Sequence, residues 1–149
     1  MSDELQSMEL VFVDTNILVY AYDLSAGDKY KNAAQLVAEC WEKENGCISM
    51  QVLQEFFVTV TRKIAKPLES QIARQIVADL AHWRIHSPEP PDLLQAIDLS
   101  QAYHLSFWDA MIIHSAAHLG CKHLLSEDLS DGQVYGNVQV INPFAGGIS

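Results

Sequence analysis

Leu10-Val11-Phe12-Val13-Asp14-Thr15-Asn16 decides how the chain is read. Its apolar run has no polar alternation and ends in β-branched residues, which suits a strand buried on both faces of a parallel sheet. Asp14-Thr15-Asn16 stops the strand, and a second apolar stretch, Ile17 to Tyr22, begins at once. Asp28 then precedes a helical pattern over 29–43, with Ala33, Leu36, Val37, Cys40 and Trp41 on one side, closed by Asn45-Gly46. Cys47-Ile48-Ser49 predicts a second strand, and Gln51 to Lys63 a helix with Val52, Leu53, Phe56, Phe57 and Val60 inward. Past Pro67 come a helix over 68–83 and a short third strand, Arg84-Ile85-His86. Pro88, Pro90 and Pro91 mark a rigid loop before a helix over 92–103. Ser106-Phe107-Trp108-Asp109 has capping-box form, with Asp in place of Glu, and opens a helix that runs to Leu119 and stops at Gly120. His123 to Ser126 and Val138 to Ile141 complete five predicted strands. Strands alternating with helices make the class α/β with a mostly parallel sheet.

The 149 residues suffice for one domain, expected to span 1–149, and are too few for two ordinary ones. Hydrophobic residues make up 49% and charged residues 19%, a balance that builds a core and excludes a disordered or fibrous chain. No apolar run approaches the roughly 20 residues of a membrane span, and residues 1–10 carry acids where a signal peptide carries Lys or Arg. A cytoplasmic protein with no membrane partner is the expectation. Nine Lys plus Arg against nineteen Asp plus Glu give a formal charge of −10, which argues against a broad basic nucleic-acid surface. The same surplus is compatible with an enzyme that meets phosphate through a bound cation. Cys40, Cys47 and Cys121 lack CxxC spacing and read as buried, reduced thiols.

Four acids occupy special places in this pattern. Asp14 ends the first strand, and Asp128 lies two residues beyond Ser126 at the end of the fourth. In doubly wound sheets ligands bind outside the carboxyl ends of strands where the strand order reverses. Asp109 stands in the first turn of the helix leading to the fourth strand, and Glu55 one turn into the helix after the second. Singly, each suits a cap, a turn or a solvated helix face. Gathered together, they would repel and force one to keep its proton unless a cation sat among them. All-oxygen ligands suit Mg²⁺ or Mn²⁺. His114 and His118 share a helix face one turn apart, but no acid of HExxH type accompanies them, and no zinc site is expected from the sequence.

Val13-Asp14-Thr15-Asn16-Ile17-Leu18-Val19-Tyr20 resembles the opening motif of PIN-domain ribonucleases. Gln54-Glu55-Phe56, Ser106-Phe107-Trp108-Asp109-Ala110 and Leu125-Ser126-Glu127-Asp128-Leu129 resemble the three acidic motifs that follow, and Val140 to Phe144 the family's closing segment. The resemblance runs in order along nearly the whole chain, and the size is similar to that of the toxins of VapBC toxin–antitoxin systems. It implies a three-layer α/β/α fold and an endoribonuclease dependent on Mg²⁺ or Mn²⁺. It maps Asp14, Glu55, Asp109 and Asp128 onto the family's acidic catalytic and metal site, with Thr15, Asn16 and Ser126 as supporting polar residues and Asp131 as an outer acid. In-line attack would leave a 5′-phosphate and a 3′-hydroxyl. It further implies a cognate antitoxin and a homodimer.

Four of the nine cations, Arg62, Lys63, Lys66 and Arg74, follow the Glu55 helix and would line a path for an RNA backbone, or simply a solvated surface. Helical periodicity assigns Trp108 to the core, with stacking on a base as the alternative. The apolar residues Leu18, Tyr20, Tyr22, Phe56 and Phe57 read as core before interface. A haloacid-dehalogenase-like phosphotransferase would need a second acid where Asn16 stands. A receiver domain would need a Lys after its strand, whereas Lys122 precedes the fourth one. A non-catalytic PIN-like scaffold for RNA or protein is the remaining alternative.

Overall fold

A computed structural model describes residues 9–145. The N-terminal segment on which the leader expectation rests, and the outer ends of the expected 1–149 domain, lie outside the described residues. Strand β1 (Val11–Val13) is followed by a short helix α1 (Thr15–Tyr20), helix α2 (Asp28–Lys43), β2 (Gly46–Ser49), α3 (Met50–Arg62), α4 (Ser70–Leu80) and β3 (Arg84–His86). Helices α5 (Pro90–Tyr103) and α6 (Phe107–His118) lead to β4 (His123–Leu125), β5 (Val134–Tyr135) and β6 (Val138–Ile141). The sheet order is β3-β2-β1-β4-β6-β5. All pairings are parallel except β5 with β6. The right-handed crossover rule puts α2 to α4 on one face and α5 and α6 on the other, a three-layer arrangement.

Six strands stand where five were expected. The sixth, β5, is two residues long and pairs antiparallel with β6 across the Gly136-Asn137 turn. Gly136 takes φ +62 there, the left-handed region the turn needs. A two-residue strand is too short to carry a period of two, so only pairing with its neighbour reveals it.

The order of winding reverses between β1 and β4, which run parallel: β2 and β3 extend the sheet on one side of β1, and β4 and β6 on the other. The Asp14 N–H donates to Leu125 O at 2.9 Å, so the ends of the two central strands are tied at that switch point. Phe12, Val13, Ile48, Leu124 and Val140 are buried in the sheet between the helix layers. Leu18 and Phe56 are fully buried and Tyr20, Tyr22 and Phe57 pack partly buried against the core, as expected. Helix α6 buries Ala110 to Ile113, Ser115 and Ala116, an almost unbroken run, because it lies between α5 and the sheet. The three cysteines are free and buried.

Candidate functional site

Asp14 is the hinge of the site. It caps α1, with Oδ1 accepting the Thr15 N–H at 2.7 Å, while Oδ2 accepts the Ser126 hydroxyl at 2.7 Å. It is only 6% exposed. Burial pushes its carboxyl up to about 6, the two hydrogen bonds oppose that, and the negative charges of Asp128 and Asp109 add to it. Asp109 is raised as well, first by burial and then by Asp128, with the Ser106 hydroxyl pulling the other way. Asp14 thus feels the charge of Asp109 and Asp128, and Asp109 that of Asp128, at the carboxyl edge of the sheet.

Each acid is carried there by local structure. Ser106 caps α6, its Oγ accepting the Asp109 N–H at 3.1 Å, which sets Asp109 in the first helical turn. Ser126, fully buried, accepts the Asp128 N–H at 3.2 Å while donating to Asp14, so one hydroxyl fixes two acids. Glu55 is exposed on α3 and accepts the Thr15 hydroxyl at 2.9 Å. Asn16 Oδ1 faces the Glu127 N–H at 3.4 Å. Thr15, Asn16, Glu55 and Asp128 line one open cavity of about 860 Å³ together with Lys63.

The remaining sequence-predicted residues are divided between that cavity and other surfaces. Asp131 accepts the Asn142 N–H at 2.8 Å, so its described partner is a strand-end amide and not the acid group. Arg62, Lys63, Lys66 and Arg74 are all exposed. Lys63 lines the acidic cavity, whereas Arg74 borders a separate apolar groove with Leu53 and Phe57. Trp108 departs from its expected core role and is 61% exposed beside Asp109, with its ring edge-to-face on Phe107. The buried side of α6 begins at Ala110, so periodicity misplaces this first-turn residue.

Two features escape the sequence. Glu127, next to Asp128, is taken by the Lys29 ammonium and by the Tyr20 hydroxyl, the latter at 2.7 Å, and these partners hold its carboxyl low despite burial. Asp23 is buried at the cavity wall and accepts the Ser25 N–H at 3.0 Å, a local turn motif that carries no signal of the cavity. The histidines carry a third feature, against a sequence that gave no reason to expect a zinc site. His86, His114 and His118 gather around Asp92, which the sequence separates from them.

The acidic group matches a hard divalent cation by the chemistry of its donors. They are oxygens, one of them raised chiefly by burial and further by Asp128 and Asp109, and positive charge among them would offset both effects.

The chain resembles several solved structures. A toxin–antitoxin complex from Klebsiella pneumoniae aligns over 90% of this chain and 98% of that one, at 22% identity and a TM-score of 0.67. The sarcin–ricin-loop-cleaving toxin VapC20 of Mycobacterium tuberculosis aligns over 79% and 89%, at 16% identity and a TM-score of 0.60. VapBC2 of Rickettsia felis, bound to a DNA fragment from its promoter, aligns over 88% and 96%, at 19% identity and a TM-score of 0.57. At these identities the likeness concerns the fold. No curated protein matches the chain. The family model of the PIN domain matches residues 11–130, the span that holds both central strands and all four acids, and the chain belongs to the PIN-domain family.

Proposed function

We propose that this protein is an endoribonuclease that hydrolyses RNA phosphodiester bonds at the Asp14, Glu55, Asp109 and Asp128 group, and that it is the toxin of a toxin–antitoxin pair. The observation that carries the reading is Asp14. A buried carboxylate at the switch point, held by Ser126 and Thr15 and crowded by Asp109 and Asp128, is costly to the fold. A cation among those carboxylates turns the cost into a function.

Mg²⁺ or Mn²⁺ would be held by Asp14, Asp109 and Asp128, with Glu55 at the rim. When bound, such an ion supplies positive charge for the scissile phosphate and acidifies a water molecule. The chain's own groups do the rest. The Ser126 hydroxyl and the Thr15 amide fix both oxygens of Asp14, so its free lone pairs have one direction. Thr15 holds Glu55 at the cavity mouth, where a carboxylate can orient or accept a proton from an attacking water. Lys63 offers a cation to the incoming phosphate backbone from the same cavity.

The antitoxin partner is inferred from toxin–antitoxin complexes among the structural neighbours. A homodimer and a cytoplasmic location belong to the same proposal. Among the described residues no helix is long and apolar enough to cross a membrane. Incubation of purified protein with structured and single-stranded RNA and Mg²⁺ or Mn²⁺ tests the reading. Cleavage is expected, with loss in EDTA and a drop of at least about 100-fold in Asp14→Asn, more than a supporting residue costs. Undiminished cleavage by Asp14→Asn would leave a non-catalytic scaffold or a different site as the answer.

A further inference from the structure

A second polar cluster lies away from the four acids. His86 ends β3, Asp92 stands in the first turn of α5, and His114 and His118 are one turn apart on α6. One ligand atom from each lies within 4.8 Å of one from every other. Asp92 is the centre. Its Oδ1 is 2.7 Å from His114 Nε2 and 3.8 Å from His118 Nδ1, and its Oδ2 is 3.4 Å from His86 Nε2.

His86 is the decisive member. Its side chain is 4% exposed, and its Nε2 has no hydrogen-bond partner although it faces Asp92. A buried ring nitrogen without a partner is expensive and calls for an occupant. The other ring nitrogen is already engaged: Nδ1 lies 2.8 Å from the Ser115 hydroxyl, which is fully buried. That is the arrangement of a metal-ligating histidine, one nitrogen oriented by a hydrogen bond and the other presented to the ion. The His118 ring stacks on that of His86 with centroids 4.2 Å apart. His118 is half exposed, so it can turn towards an ion without disturbing the core.

We infer that His86, Asp92, His114 and His118 form a binding site for a Zn²⁺-class transition-metal ion, separate from the acidic site. Three imidazoles and one carboxylate are the donor set of a closed four-coordinate zinc site. Zinc–ligand bonds near 2 Å put tetrahedral donors about 3.3 Å apart, and the spacings of 2.7 and 3.8 Å from Asp92 Oδ1 to His114 and His118 straddle that value. Hard cations prefer oxygen, so the two sites would sort ions by donor type. Asp92 also accepts the Glu89 N–H at 2.8 Å, which locks the carboxylate at the start of α5. A bound ion would tie β3, α5 and α6 together and so steady the helix that carries Asp109.

This inference does not rest on the nuclease reading, and cleavage is not its readout. Tag-free protein stripped of metal is titrated with Co²⁺, whose visible ligand-field bands are strong in a four-coordinate nitrogen-rich site and weak in a six-coordinate oxygen site. One equivalent is expected to give the strong bands, and Zn²⁺ to bleach them by displacement. His118→Ala, which removes a half-exposed ring, is expected to weaken Zn²⁺ binding by about 100-fold or more, and Ser115→Ala by about 10- to 100-fold. Asp14→Asn is expected to leave the bands unchanged. Absence of the strong bands in the native protein would overturn the site. Bands that survive in His118→Ala, or vanish in Asp14→Asn, would overturn it equally.

Discussion

Asp14 shows how one residue couples stability to function. Its carboxyl is raised from 3.8 to about 6, chiefly by burial. A raised acid stabilises the fold fully below its unfolded value near pH 4, and that stabilisation is lost as pH rises through about 6. That rise corresponds to about 3 kcal/mol. In metal-free protein, stability should therefore fall between pH 4 and pH 7 by up to that amount, and Asp14→Asn should lack this part of the fall. Urea midpoints across that range for both proteins measure it, and parallel curves would show that Asp14 is not the group responsible. Trp108 makes a second prediction at this scale. An exposed indole beside Asp109 offers a face on which an RNA base can stack, a contact worth about 1–3 kcal/mol. Trp108→Ala is expected to raise KM for RNA by about 5- to 150-fold while the melting temperature holds, since the ring is 61% exposed.

At the scale of elements, strand ends and helix starts do the positioning. Ser49 caps α3 and Ser106 caps α6, each accepting a backbone N–H three residues on, and these caps send Glu55 and Asp109 back to the same sheet edge. The opposite end of β2 is set by Gly46. A Cβ there would sit 2.6 Å from the Trp83 ring, which is buried and packs edge-to-face on Trp41. Gly46→Ala should cost about 1–3 kcal/mol by overpacking, because a Cβ at that distance forces the indole or the strand to shift. A urea midpoint unchanged by this substitution would mean that Trp83 moves freely.

For the whole molecule, the balance of charge matters most. A chain of −10 that gathers carboxylates at one edge of its sheet is weakest there at neutral pH, and any cation that binds only the folded state strengthens it. Millimolar Mn²⁺ is expected to raise the melting temperature by several degrees at pH 7.5, compared against NaCl of matched ionic strength. A domain of this size gains about 2–4 °C per kcal/mol. The rise should shrink in Asp14→Asn. Equal rises in both proteins would place the ion elsewhere.

The α/β class and most of the element order are legible in the residues alone, and the four acids are proposed from them, because those signals are local. A buried strand ending in Asp, a Ser three residues before an Asp, and a helical period of apolar residues each declare themselves within a few positions. Only the tertiary structure decided that β1 and β4 are tied at the switch point, that Ser126 serves both Asp14 and Asp128, and that Glu127 is spent on Lys29. It also turned Trp108 outward, added β5 and drew Asp92 to His86, His114 and His118. The physical reason is range. Propensity and periodicity act between near neighbours, whereas burial, repulsion between carboxylates and the pairing of distant side chains exist only once the sheet has brought remote segments to one edge.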